Sequence, residues 1–137
     1  MATWAELVGF IKTEYEVVGD DPDEIRILLR YLTDDEDEKS GRTQVVVVAR
    51  EVLDRREDWV LIASPFARVQ DVDLRTVLAE VGNSTVVGGV VIVGEYLVLR
   101  HSLPLVNLDI NEFVDPLELL TGSAEMLERQ FVGRDEF

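Results

Sequence analysis

The stretch Thr85–Leu105, TVVGGVVIVGEYLVLRHSLPL, constrains this chain more than any other. It is the longest apolar run, and Gly94-Glu95 interrupts it in the middle. Val90–Val93 before that pair and Tyr96–Leu99 after it have the β-branched, aromatic and aliphatic make-up of strands. Glycine at the first of two loop positions suits a type II′ turn, so the stretch predicts a β-hairpin. Gly88-Gly89 predicts a bulge or a close backbone approach. A lone hairpin is unstable in water, so other segments have to supply more strands and covering helices.

They do. Thr3-Trp4-Ala5-Glu6 is a capping box, and Trp4, Leu7, Val8, Ile11 and Tyr15 follow at helical spacing, predicting a helix over Trp4–Tyr15. Gly19-Asp20-Asp21-Pro22 is expected to end it in a turn. Ile25–Leu32, Gln44–Leu53 and Trp59–Phe66 predict three strands, with Pro65 marking a strand end or a sheet edge. A second helix carries Leu74, Val77, Leu78 and Val81, is capped by Asp71 or Asp73, and is expected to stop at Gly82. Toward the end, Asp109 with Glu112 and Asp115-Pro116 with Glu118 are two start signals. They predict a short turn at Ile110–Val114 and then a helix over Pro116–Phe131. The order α-βββ-α-ββ-α gives an α+β fold: a five-stranded antiparallel sheet with three helices. At 137 residues it reads as one domain over 1–132 with a flexible tail at 133–137.

Charge narrows the partners. Twenty-eight acidic residues against 13 basic give a net charge of −15. Phosphate backbones and anionic membranes repel such a surface, and no basic patch offsets it. No apolar run approaches the length of a membrane span, and Glu6, Lys12 and Glu14 interrupt any leader-like segment. The reading is a soluble cytoplasmic protein.

No motif for catalysis or cofactor binding emerges. Cysteine is absent, which excludes disulfides and thiolate metal sites. His101 is the single histidine. By strand parity it shares a face with Leu97, Leu99 and Leu103, as a packed residue at a core margin. Read as an EF-hand loop from Glu36, the acidic run Asp34–Glu38 would need a bidentate Glu where Val47 stands. It and the cluster Asp20–Glu24 therefore read as solvated. Gly89–Gly94 has the spacing of a phosphate-binding loop, but Glu95 stands where its lysine belongs. No cofactor, metal or catalytic residue is expected.

Several strands are apolar on both faces: Val45 and Val47 oppose Val46 and Val48, and Val90 and Ile92 oppose Val91 and Val93. A half-solvated sheet would alternate strictly. The surplus predicts a second subunit or a bound partner over part of the sheet.

The helix around Trp4–Tyr15, the strand triplet Ile25–Phe66, the Leu74–Val81 helix, the hairpin VVIVGEYLVLRHSLP and a closing helix with Asp109, Phe113, Leu117 and Leu120 resemble, over nearly the whole chain, the type III secretion chaperone-like fold. Within it the sequence is most similar to the bacterial YbjN-like family. That resemblance implies a small acidic homodimer that holds an extended segment of another protein, or a regulator linked to stress or motility. It implies no catalytic residue. The dimer or partner surface it suggests is the second helix with the valine strand: Leu74, Val77, Leu78, Val46 and Val48. The alternative reading is a small-ligand-binding protein or enzyme with a pocket between the last helix and the sheet, edged by His101 or Tyr96.

Overall fold

In the computed structural model, which describes residues 3–31, 42–85, 88–133 and 136–137, Thr3 caps helix α1 (Trp4–Glu14). Its hydroxyl accepts from the Glu6 amide at 3.2 Å. Leu7 and Ile11, one turn apart, are its buried residues. Tyr15 then takes an extended conformation, and the chain enters a strand where a turn was expected. This is β1 (Glu16–Asp21), which Pro22-Asp23 joins to β2 (Glu24–Tyr31). The sheet therefore has six strands rather than five. Val17 and Val18 hide β1 because they are adjacent and do not alternate; a register shift between Val17 and Gly19 leaves Val18 in solvent.

β3 (Arg42–Leu53) and β4 (Glu57–Arg68) follow. Their hairpin turns through Asp54 and Arg55, at φ 51° and 59°. A 3-10 turn at Val69–Asp71 leads to α2 (Leu74–Ser84), where Asp73 accepts from the Thr76 amide at 3.1 Å. Gly82 does not end α2. Ser84 and Thr85 donate their hydroxyls to the carbonyls of Glu80 and Val81, satisfying the last turn without a glycine. β5 (Gly89–Val93) and β6 (Tyr96–Pro104) form the expected hairpin. Gly94 alone in its turn has positive φ, 60°, as a type II′ turn requires.

The last helix is not split. α3 (Ile110–Phe131) runs through Pro116, and Asp109 makes no side-chain cap bond. Pro116 removes one helical hydrogen bond. Even so, Phe113 and Leu117 on either side of it are fully buried, in line with Leu120, Ala124 and Leu127. The packing of that stripe outweighs the local stop signal.

Every ladder is antiparallel, in the order β1-β2-β3-β4-β6-β5. Pro65 thus sits in a central strand, not at an edge or end. The register shifts between Pro65 and Ala67, and this bulge accommodates a residue that has no N–H to donate.

One face of the sheet carries the core. Ile25 lies across from Val48 and Val48 across from Ile62; Ile27 pairs with Val46. With Val60, Phe66, Leu97 and Leu99 they meet Leu7 and Ile11 of α1, Val77 of α2 and the α3 stripe in a single apolar cluster. All three helices thus lie on this one face. Among the described residues no helix is long and apolar enough to cross a membrane.

Candidate functional site

The reverse face of the sheet follows from the same registers. Leu28 pairs with Val45, Val47 with Ala63, and Ala49 with Leu61; Val98 lies between Pro65 and Val91. None of these residues belongs to the apolar cluster, and all but the buried Val98 are only half-buried. Among the described residues no helix lies over them, and they are shielded by neighbours on the same face. Ion pairs rim this apolar field. Arg30 grips Glu16 through two bonds of 3.0 Å, Arg26 meets Glu24 at 3.4 Å, and Arg100 approaches Glu51 at 3.7 Å. Such pairs at the margin set orientation more than affinity. The surplus of two-faced strands is thus real, and its uncovered half is the face of Val45 and Val47.

The two sheet edges differ. β1, EVVGDD, carries three carboxylates and a bulge. β5, GVVIV, carries no charge, and Ile92 and Val93 are each 57% exposed. Gly88 sets β5 against its neighbour. Its φ is 95°, and a Cβ there would fall 2.8 Å from the Arg100 carbonyl oxygen. The expected close backbone approach is here.

A third feature is polar and buried. Arg42, at the start of β3, donates to Glu125 Oε1 at 2.5 Å and to Glu128 Oε1 at 3.0 Å. Glu125 also accepts from Arg129 through both oxygens, and Glu128 Oε2 accepts the amides of Glu136 and Phe137 at 3.2 and 2.8 Å. Burial, then the charges of Glu125 and Glu118, push the nearby Tyr31 hydroxyl up to about 12. Paired carboxylates suggest acid–base chemistry at first sight. Here all four oxygens are engaged, so the arrangement fastens α3 and the chain beyond it to β3. Nearby, Gln44 donates to Ser64 at 2.9 Å and to the Pro65 carbonyl at 2.6 Å.

The five residues singled out for a partner surface divide. Val46, Val48 and Val77 have no exposed area and belong to the core, whereas Leu74 and Leu78 are 37% and 54% exposed. Val46 and Val48 are the phase of β3 that faces the core: the period of two is clear in the sequence, but which phase faces the helices depends on where they come to rest. His101 lies across from Ile62 on the core face, half-buried, consistent with a packed margin residue. A pocket of about 410 Å³ includes Tyr96, with Pro65, Arg68, Glu136 and Phe137. It lies beside the last residues rather than between α3 and the sheet, and His101 does not line it. The Phe137 ring meets Tyr96 edge-on at 5.8 Å, and Arg68 stands 5.9 Å over the Tyr96 ring.

Within Asp20–Glu24, Lys12 meets Asp20 at 2.8 Å, Arg50 meets Asp23 at 3.4 Å and Arg26 pairs with Glu24. Asp34–Glu38 lies outside the described residues. No cluster with metal-ligand composition occurs among the described residues. No family model, no curated protein and no solved structure matches the chain.

Proposed function

We propose that this chain is a non-enzymatic protein-binding module that holds a segment of another protein on the open face of its sheet. One observation carries the reading: the aliphatic field of Leu28, Val45, Val47, Ala49, Leu61 and Ala63 is rimmed by ion pairs and, among the described residues, covered by no helix. Monomeric proteins seldom leave such a field to water. Apolar area supplies affinity there, and the rim supplies orientation. The resemblance to secretion chaperones and YbjN-like regulators supports the same role, with the partner held as an extended segment in a bacterial cytoplasm.

Peptide display followed by NMR mapping tests it. Selected peptides are expected to shift the resonances of Val45, Val47 and Leu61 and to lose binding with Leu61→Glu. Failure to select any peptide, or shifts confined to α2 or α3, would sink the reading. Small-ligand binding is a second reading, favoured by the pocket at Tyr96 and Arg68. A thermal-shift screen that finds a ligand lost in Tyr96→Ala would support it instead.

A further inference from the structure

We infer that the Tyr96 end of the open face is a seat for an aromatic side chain of an extended segment, and that Phe137 of this chain holds the seat until such a segment displaces it. This rests on the open-face reading and adds to it the side chain that the partner brings.

Strand parity places the seat. Tyr96 stands two residues from Val98 on β6, so both lie on the open face. Arg68 pairs with Tyr96 and Pro65 with Val98, which puts these two on the same face. Pro65, Arg68 and Tyr96 line the cavity of about 410 Å³ together with Glu136 and Phe137. Ala63 and Pro65, two residues apart on β4, join that cavity to the aliphatic field. The cavity is thus the end of the field, where β4 stops and β6 starts.

The chain already places a ring there. Glu128 belongs to α3, which covers the other face of the sheet. Its Oε2 accepts the amides of Glu136 and Phe137 at 3.2 and 2.8 Å, and the Phe137 ring meets the Tyr96 ring at 5.8 Å and 87°. These two residues therefore touch elements of both faces and wrap the end of the sheet. Edge-to-face contact is a preferred arrangement of two rings. Arg68, 5.9 Å over the Tyr96 ring, holds that ring in place. Amides donated to a carboxylate carry no sequence preference, so the selectivity of the seat lies in the ring.

Phe137 is an occupant and not a part of the core. It is half-buried and stands outside the apolar cluster, whereas Phe131 at the end of α3 packs against it. It can leave without opening the interior. Because it is tied to the seat through its own chain, its local concentration is on the order of millimolar. A small aromatic group competes poorly with it. An extended segment competes well, because it gains contact along Val45 and Val47 at the same time.

The probe is N-acetyl-phenylalanine amide, titrated into the full chain by NMR, with circular dichroism to monitor folding. Phe137→Ala empties the seat. The probe is expected to shift the Tyr96 and Val98 resonances of this variant at concentrations at least about tenfold lower than in the unaltered chain. N-acetyl-alanine amide is expected to shift neither. Phe137→Trp refills the seat and is expected to exclude the probe again. Adding Tyr96→Ala to Phe137→Ala is expected to abolish binding. In the unaltered chain, saturation with the probe is expected to remove the nuclear Overhauser contact between Phe137 and Tyr96. Equal affinity for the unaltered chain and Phe137→Ala, as a ready-made small-ligand pocket would give, would overturn the inference. So would no binding to Phe137→Ala, binding that survives Tyr96→Ala, or a Phe137–Tyr96 contact that persists at saturation. Loss of folded signal in Phe137→Ala would overturn it too, since the ring would then belong to the fold. These outcomes turn on Tyr96 and Phe137, whereas the open-face reading turns on Val45, Val47 and Leu61, so either can fail without the other.

Discussion

The two edges of one sheet are finished differently. β1 is acidic, bulged and pinned by ion pairs to its neighbours, with Glu16 on Arg30 and Lys12 on Asp20. β5 is short, apolar and uncharged, and its geometry depends on glycines. Both are edges, so their difference is not a requirement of the fold. One edge is built to stay alone in water, and the other has the composition of a strand with a neighbour on each side.

The contrast predicts that glycine substitutions weigh unequally. Gly88→Ala forces an L side chain into positive φ, which costs about 1–3 kcal/mol. It also drives a Cβ against the Arg100 carbonyl at 2.8 Å, so it is expected to have the largest effect of the set in chemical denaturation. Gly94→Ala meets no neighbour but keeps φ at 60°, and is expected to cost about 1–2 kcal/mol. Gly19→Ala on the β1 side meets the Arg26 Cβ and Cδ at 3.3 Å and its Cγ at 3.4 Å, a tight contact with no positive φ to add to it. It is expected to cost less than Gly88→Ala. Equal losses at Gly88 and Gly19 would erase the distinction between the edges.

Tyr31, next to β1 but beneath α3, tests the interior by pH. Its hydroxyl is raised from 10.0 to about 12, first by burial and then by Glu125 and Glu118. The folded state therefore holds the proton more tightly than the unfolded state. This contribution to stability is complete below pH 10 and is lost as pH rises through 12. Denaturation midpoints are expected to fall across that window and to fall less in Tyr31→Phe.

The smallest expected effect is ionic. Sodium chloride should raise the melting temperature modestly by screening the acids of the β1–β2 turn. Calcium should do no more than magnesium at matched ionic strength. A large shift with calcium alone would mean that Asp20–Glu24 builds a site instead of a solvated edge.

Much of the architecture was legible in the chain. The β5–β6 hairpin, the Thr3 and Asp73 caps and the antiparallel pairing all rest on local signals that nothing overrides. β1 escaped because its only apolar residues are adjacent valines, followed by residues that read as a turn. The break expected at Asp115 failed because two buried side chains, Phe113 and Leu117, hold the helix through Pro116. The fastening of α3 was out of reach for another reason. Arg42 and its two glutamates are 83 and 86 residues apart, and no periodicity reports on charges brought together only by the fold. The candidate surface was half legible. Two-faced strands announced uncovered apolar area, yet whether Val46 or Val47 would be uncovered depended on where α3 comes to rest.

The strand order has a consequence in time. From β1 to β4 each strand pairs with the one made just before it, so four strands can zip together as the chain leaves the ribosome. The helix that packs on β3, β4 and β6 comes after all six strands in the chain. During that interval only α1 and α2 are there to cover the core face of the nascent sheet, and its stickiest species is the one that lacks α3. Arg42, placed at the start of β3, already waits at the spot where Glu125 and Glu128 will land. The buried ion cluster thus ties the start of β3 to the helix that completes this core.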